Sequence, residues 1–438
     1  MPPKRKQVVN AEPTSTKRFK FTLDHVELPQ LSTDGAVLVM GAGDVGQLGL
    51  GPDVLEKSRP ALVNLNEQIV DIYAGGMHTV CLTKEGTVLT FGCNDEGALG
   101  RVTDGKEDAE FTAGPVDLPG KVIQVTAGDS HTAVLLEDGR VFTWGTFRDS
   151  HGNMGMSERG NERAPFEIIT NQKIVKIASG ADHIVFLNNF GEVWTCGCGE
   201  QGQLGRVTKR SSDRKAGRTG TVSNHNILKF LTPAPINLKP SLRLHFDNIW
   251  AGVYCTFAKV ANRDDIYVFG LNNFHQIGLD VLQAEYIPKK SKDFSKYKWA
   301  QITGGQHHTL GLTTEGKVYA IGRKEYGRLG LGANSEDAIT LTQVEGLKEE
   351  KIVNIACGSS TSFAVSSSGS LYGWGMGSNG QLGLGDDDDC FEPIQIKSKQ
   401  LTDRKVMRVS SGGQHTVILG FSENNNKNGE IKTNDEDK

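Results

Sequence analysis

Ala74-Gly75-Gly76-Met77-His78-Thr79 is one copy of a phrase that this chain repeats: a small residue, Gly, two changing positions, then His-Thr in most copies. The phrase reopens at Ala127, Ser179, Ala251, Gly304, Cys357 and Ser411. Each full copy continues through an apolar stretch, a turn, a second apolar stretch and a close whose common form is Gly-x-x-x-x-Gly-x-Leu-Gly. The closes end at Gly49, Gly100, Gly155, Gly205, Gly278, Gly330 and Gly383. The first close has no opening phrase before it, and the last opening phrase, Ser411 to Thr416, has no close after it. A repeat that begins in mid-unit and ends with the missing half is what a closed ring needs.

The opening glycines Gly75, Gly128, Gly180, Gly252, Gly305, Gly358 and Gly412 lie 53, 52, 72, 53, 53 and 54 residues apart. A period near 50 marks units that bury their apolar faces only against their neighbours, as in propellers and solenoids. Within a unit the apolar stretches are short and strand-like. Thr79-Val80-Cys81-Leu82 and Thr87-Val88-Leu89-Thr90-Phe91 form a hairpin around Lys84-Glu85-Gly86, and no amphipathic helix of useful length competes. The segments just before the opening phrases, Ile69 to Ile72 and Val122 to Val125, are expected as the outer strands. The pattern predicts an all-β fold, a seven-bladed β-propeller over 36–420, closed by pairing of Thr416 to Leu419 with Val37-Leu38-Val39. That closure removes the free sheet edges that invite aggregation. Residues 1–35 read as a flexible basic tail and 421–438 as a disordered polar one.

Composition agrees with one large ring. The 438 residues include 53 Gly, as many tight turns require, and the seven Cys are odd in number and lack disulfide spacing, which points to a reducing compartment. No signal peptide or membrane-spanning apolar run is seen, so no membrane partner is expected, and the ring is expected to be a monomer. The net charge of −4 is unevenly placed. Residues 1–20 hold six Lys/Arg against Glu12, and 206–219 hold six (Arg206, Lys209, Arg210, Arg214, Lys215 and Arg218) against Asp213.

Two motifs that suggest cofactors are set aside. Gly41-Ala42-Gly43-Asp44-Val45-Gly46 has the form of a dinucleotide-binding loop, but Gly197 to Gly202 and Gly375 to Gly380 match it too. All three follow a blade strand and lead to Leu-Gly rather than to a helix N-terminus, where such a loop would have meaning. Cys196-Gly197-Cys198 lacks a second pair of metal ligands. No cofactor and no metal are expected.

Departures from the repeat single out candidate sites. The two positions between Gly and His change in every copy, and in a propeller they fall around one mouth. Asp129, Asp182 and His307 converge there as variable polar groups, and clustered charge at a mouth suits a partner of opposite sign. Six closes span eight positions from first to last Gly, but Gly145 to Gly155 spans ten. The extra residues lie in Phe147-Arg148-Asp149-Ser150-His151-Gly152-Asn153-Met154. The 72-residue repeat carries its surplus after Gly205, with the basic run.

The Gly-Gln-Leu-Gly closes and Gly-Gly-x-His-Thr openings resemble the RCC1 family of propellers from about Val37 to Leu419. That family includes a nuclear exchange factor for the small GTPase Ran, repeat domains of giant ubiquitin ligases, cilium-associated proteins and a plant ultraviolet receptor. The receptor reading fails, because no Gly-Trp-Arg-His-Thr phrase occurs. The long third close looks like the β-wedge of the exchange-factor branch, and the wording of the close from Cys198 to Arg206 also fits that branch. In that branch a loop after the equivalent of Gly205 docks on the acidic patch of the histone octamer, and a basic tail like Pro2-Pro3-Lys4-Arg5-Lys6 lies along DNA. The X-Pro-Lys start also suits α-N-methylation once Met1 is removed.

The resemblance therefore implies a guanine nucleotide exchange factor for Ran, located in the nucleus on chromatin, that catalyses no covalent chemistry. It assigns Phe147 to Met154, Asp182 and His307 to exchange. Asp44, His78, Asp129, Arg206 and His415 match positions of GTPase contact. Lys4, Arg5, Lys6, Arg214, Lys215 and Arg218 are expected to meet nucleosomal DNA and the histone acidic patch. The alternative is a chromatin or protein-interaction propeller without exchange activity.

Overall fold

The computed structural model describes residues 21–23, 35–106, 108–168, 170–213 and 224–422. Five sheets have four strands, and one of eight is two blades joined by a single parallel pair, Gly252 beside Gly304, which makes seven blades. In blade 1, Ile69–Ala74, His78–Thr83, Val88–Gly92 and Gly114–Val116 pair antiparallel in sequence order. Blade 7 is shared. Lys405–Ser411 and His415–Phe421 pair onto Ala36–Ala42 and Glu56–Leu62. Val37 stands opposite Leu419, Leu38 opposite Ile418 and Val39 opposite Val417, which is the closure read from the split repeat.

Blades stack face to face, so the second strand of each is buried on both sides. Val80 and Leu82 of blade 1 pack with Val125, Val134 and Trp144 of blade 2. Cys81 of the same strand packs with Val39 and Val417 of blade 7. Side chains alternate along a strand, so one continuous apolar run feeds two cores.

The radial order differs from the sequence expectation. The strands expected to lie outermost are innermost, because they run directly into the opening phrases, and these phrases bond to one another around the central channel. The N–H of Gly76 donates to the carbonyl of Gly128 (3.0 Å), Asp129 to Ala181 (2.8 Å), Ala181 to Val253 (3.0 Å) and Val253 to Gly304 (3.2 Å). Gln306 then donates to Ser359 (3.1 Å), Ser359 to Gly412 (3.3 Å), and Gly413 returns to Gly76 (3.2 Å). The ring is closed by its own backbone. The outermost strands follow the closes, as Glu56–Leu62 and Cys390–Gln395 do, and they carry most of the exposed strand residues. A repeat period fixes the length of a unit but not which of its strands faces the axis.

The recurrent His belongs to the same ring. His78 Nε2 bonds Thr132 Oγ1 of the next blade at 2.9 Å, His131 bonds Ser179 at 3.1 Å, His183 bonds Thr256 at 3.0 Å and His308 bonds Ser362 at 2.9 Å. His415 bonds Thr79 at 3.0 Å and so links the last opening phrase to the first. The fourth blade has Cys255 in place of His, and Thr309 Oγ1 beyond it is left without a partner. Burial holds His78 down to about 4 and the other four rings to about 3.

Acid should therefore loosen the ring. Between these values and the unfolded value near 6.5 the unfolded chain binds more protons, so this part of the stability is complete above pH 6.5 and lost as pH falls. A ring kept neutral at pH 5 costs about 2 kcal/mol, and five such rings approach the net stability of an ordinary domain. Burial raises the carboxyls of Asp71, Asp129 and Asp182, which act in the opposite direction, but they are fewer. The thermal midpoint is expected to fall steeply from pH 6.5 to 5, and a flat profile there would contradict the neutral-His ring.

Two segments amend the sequence reading. In the insertion of blade 3, Asn224–Leu231 is a helix that buries Phe230 and Leu231. Within 1–35, residues 21–23 are fastened to the ring: Leu23 N–H donates to the Asn189 carbonyl at 2.8 Å, and Phe21 stacks on His245 at 4.6 Å. Among the described residues no helix is long and apolar enough to cross a membrane.

Candidate functional site

The third close folds as its extra length suggests. Phe147–Asp149 and Gly152–Gly155 form a separate antiparallel hairpin, with Arg148 opposite Asn153 and Asp149 opposite Gly152. Phe147 and Met154 are its roots rather than its tip. Phe147 is fully buried, edge-on to His131 at 4.9 Å, and Met154 is also in the core. Arg148, Ser150, His151, Gly152 and Asn153 are exposed, with Asp149 half-buried.

Carboxylates of both neighbouring blades hold this hairpin. Glu96, in the close of blade 1, accepts Arg148 Nη2 at 2.8 Å and Asn153 Nδ2 at 2.9 Å. Glu200, in the close of blade 3, accepts the Ser150 N–H at 2.9 Å and its hydroxyl at 2.5 Å. Asp182 accepts the Arg148 N–H at 2.7 Å. At the tip, His151 N–H donates to Asp149 at 2.8 Å, and His151 Nε2 meets Asp213 Oδ1 at 2.9 Å. Asp213 is the described residue that precedes the basic segment.

Asp129 and Asp182, on blades 2 and 3, come together beside this hairpin. Asp129 is open to solvent on the mouth yet flanked by protein, and loss of bulk water raises its carboxyl against the pull of Arg148. Burial raises Asp182 to about 7, with the negative Asp129 adding to the shift and the Arg148 N–H opposing it. Burial, with Asp129 and Asp182 adding to it, pushes the hydroxyl of Tyr254 of blade 4 up to about 12.

His307 stands in a different group. Its ring is edge-on to Phe274 at 5.2 Å, and Arg323 lies over the same Phe274 ring at 4.9 Å. Partial burial, then Arg328 and Arg323, lower its pKa. Asp44 is exposed on the close of blade 7 and accepts Gln47 Nε2 at 3.1 Å.

Three residues assigned to partner contact lie beneath the surface or are already committed. His78 and His415 are buried in the inter-blade bonds described above, at 1% and 0% exposure. Arg206 spends its guanidinium on the carbonyls of Thr195, Lys229, Phe230 and Thr232, fastening the helix of the insertion. Arg101, which follows the close of blade 1, binds Thr90, Ala109 and Thr112 in the same way. These three side chains bond within the frame that carries the mouth. Lys4, Arg5, Lys6, Arg214, Lys215 and Arg218 lie outside the described residues.

The glycine that opens each close serves the frame. Gly197 has φ +110°, and a Cβ there would sit 2.3 Å from the Asp182 carbonyl. The glycine is needed so that the close can approach the opening phrase, and the Cys198 N–H then bonds that carbonyl at 2.7 Å. Sequence reasoning missed Glu96, Glu200, Tyr254, Phe274 and Arg323. Tyr254 carried a signal, as a variable position of an opening phrase.

The RCC1-like domain profile matches residues 36–418. The regulator of chromosome condensation of Xenopus laevis is 50% identical over 390 residues, covering 88% of this chain and 89% of that protein. The guanine nucleotide exchange factor SRM1 of Saccharomyces cerevisiae is 30% identical, covering 92% of this chain and 88% of that one. Among solved structures, Prp20p of Saccharomyces cerevisiae, described with its binding to Gsp1p and histones, superposes with a TM-score of 0.79 at 28% identity, covering 96% of each chain.

Proposed function

The chain belongs to the RCC1-like family of propellers, and we propose that it is a guanine nucleotide exchange factor for the small GTPase Ran that works on chromatin in the nucleus. One observation carries the reading: a single close of seven is extended into a hairpin that projects from a rigid ring beside two raised carboxyls. The names of its relatives, an exchange factor and a regulator of chromosome condensation, support it.

Exchange breaks no covalent bond. The ring accelerates release by binding the nucleotide-free GTPase better than the loaded one. A 10⁵-fold acceleration needs about 7 kcal/mol of such preference. The exposed edge of the hairpin, Arg148 to Asn153, displaces the phosphate-binding region from GDP and Mg²⁺, with Phe147 and Met154 as its footing. Asp182 fixes the root of the hairpin through the Arg148 N–H, while Asp129, Asp44 and His307 present polar groups to the GTPase. His78, His415 and Arg206 support these positions from below.

Release of labelled GDP from a panel of small GTPases tests the activity: Ran should respond and the others should not. A ring that accelerated none of them would leave the interaction-propeller reading.

The basic segments serve chromatin. Each phosphate contact releases condensed counterions, so loss of residues 1–20 should flatten the salt dependence of nucleosome binding. Guanidinium forks suit paired carboxylates, so Arg214→Ala with Arg218→Ala should weaken nucleosome binding more than free DNA binding. Exchange in solution should survive both changes. Nucleosome pull-downs with the combined variant check this, and undiminished binding would remove these segments from the account.

A further inference from the structure

We infer that Glu96 and Glu200 are positioning residues for nucleotide release, a two-sided clamp that keeps the hairpin stiff while it displaces part of the GTPase. This role rests on the exchange reading. A two-stranded hairpin alone is marginally stable in water, and this one has only its roots in the core. Glu96 grips it from the side of blade 1 through Arg148 and Asn153, and also accepts Asn161 Nδ2 at 2.6 Å, so donors fill both of its oxygens. Glu200 grips the turn from the side of blade 3 through both Ser150 donors. Its own carbonyl accepts the Tyr286 hydroxyl of blade 4 at 2.6 Å, so the clamping loop is itself fixed.

The placement of Glu96 is specific to the hairpin, whereas the position of Glu200 is also acidic at Asp44, Asp95 and Glu325 of other closes. Glu96 occupies the position where the other ordinary closes have Val45, Gln201, Phe274, Tyr326 and Asn379. Its side chain remains 24% exposed, so no core depends on it. With its oxygens taken up by donors of its own chain, it acts through the hairpin rather than on the GTPase. A support of this kind should affect the displacement step, because a hairpin that bends absorbs the preference meant to open the nucleotide site.

The test uses Glu96→Gln, Glu200→Gln and the double variant in the full chain. Gln keeps the volume but turns an N–H₂ toward donors that need an acceptor. GDP release from Ran is measured against exchanger concentration to separate the maximal rate from the half-saturating concentration. The double variant should lose about 30-fold in maximal rate, with half-saturation and thermal midpoint nearly unchanged. A double variant with the wild-type maximal rate would overturn the positioning role, as would a loss carried wholly by a higher half-saturating concentration, which would place both residues in direct contact with the GTPase. A wild-type chain that released no GDP from Ran would instead overturn the exchange reading, and this role with it.

Discussion

Deleting residues 411–438 should yield insoluble or open protein, whereas deleting 423–438 should leave a ring of unchanged thermal midpoint. The longer deletion removes His415–Phe421, the strand that pairs with both Ala36–Ala42 and Lys405–Ser411. Val417, Ile418 and Leu419 are at most 1% exposed, and burying three such side chains contributes about 5–9 kcal/mol, as much as many domains have in total. The His415–Thr79 bond and the Gly413–Gly76 backbone bond are lost with it, and the freed edge of Ala36–Ala42 can pair with another chain. Solubility and size-exclusion profiles of the two truncations decide the matter. Equal, stable rings from both would refute the split blade.

Asp182→Ala and His307→Ala should slow GDP release without a large loss of stability. Removing the Asp182 carboxylate deletes the bond to the Arg148 N–H, and a hydrogen bond to a charged group is worth about 1.5–3 kcal/mol, or 10- to 100-fold in rate. It also relieves repulsion from Asp129, so the thermal midpoint should hold or rise slightly. Gly180→Val, two residues away, should do the reverse and unfold its blade. The reason is crowding: a Cβ on Gly180 would lie 2.2 Å from His183 Cε1 and 2.5 Å from the Gly252 carbonyl. Release assays and melting curves on the three variants separate site from scaffold. Wild-type exchange by both Asp182→Ala and His307→Ala would sink the site assignment.

The fold was legible because repetition states each constraint several times. A glycine that recurs at the start of every close marks a backbone contact made in every blade. Radial order was not legible, since Ile69–Ala74 and Gly114–Val116 are both short strands and only the ring of bonds among opening phrases decides which faces the axis. The helix Asn224–Leu231 lies in an insertion that no other repeat can calibrate.

For the site, Asp129 and Asp182 were readable as departures from a repeated phrase, and the hairpin as an insertion of two residues. His78 and His415 were ambiguous, because a residue recurring around a mouth reads the same whether it points out or toward the next blade. Glu200 left no trace, since its position is acidic in several closes and it acts on an insertion in a neighbouring blade, whereas Glu96 differed from its counterparts only by carrying a charge, and nothing in its own repeat says what that charge meets.

In the proposed mechanism the hairpin at 147–155 drives release. The most direct measurement is labelled-GDP release from Ran by a ring in which Ser150 and His151 are deleted, restoring the ordinary length of a close. The shortened ring should stay intact by melting curve while its maximal release rate falls by about 100-fold or more, equivalent to about 3 kcal/mol of lost preference for the nucleotide-free GTPase. Release at the wild-type rate by that shortened ring would contradict the mechanism.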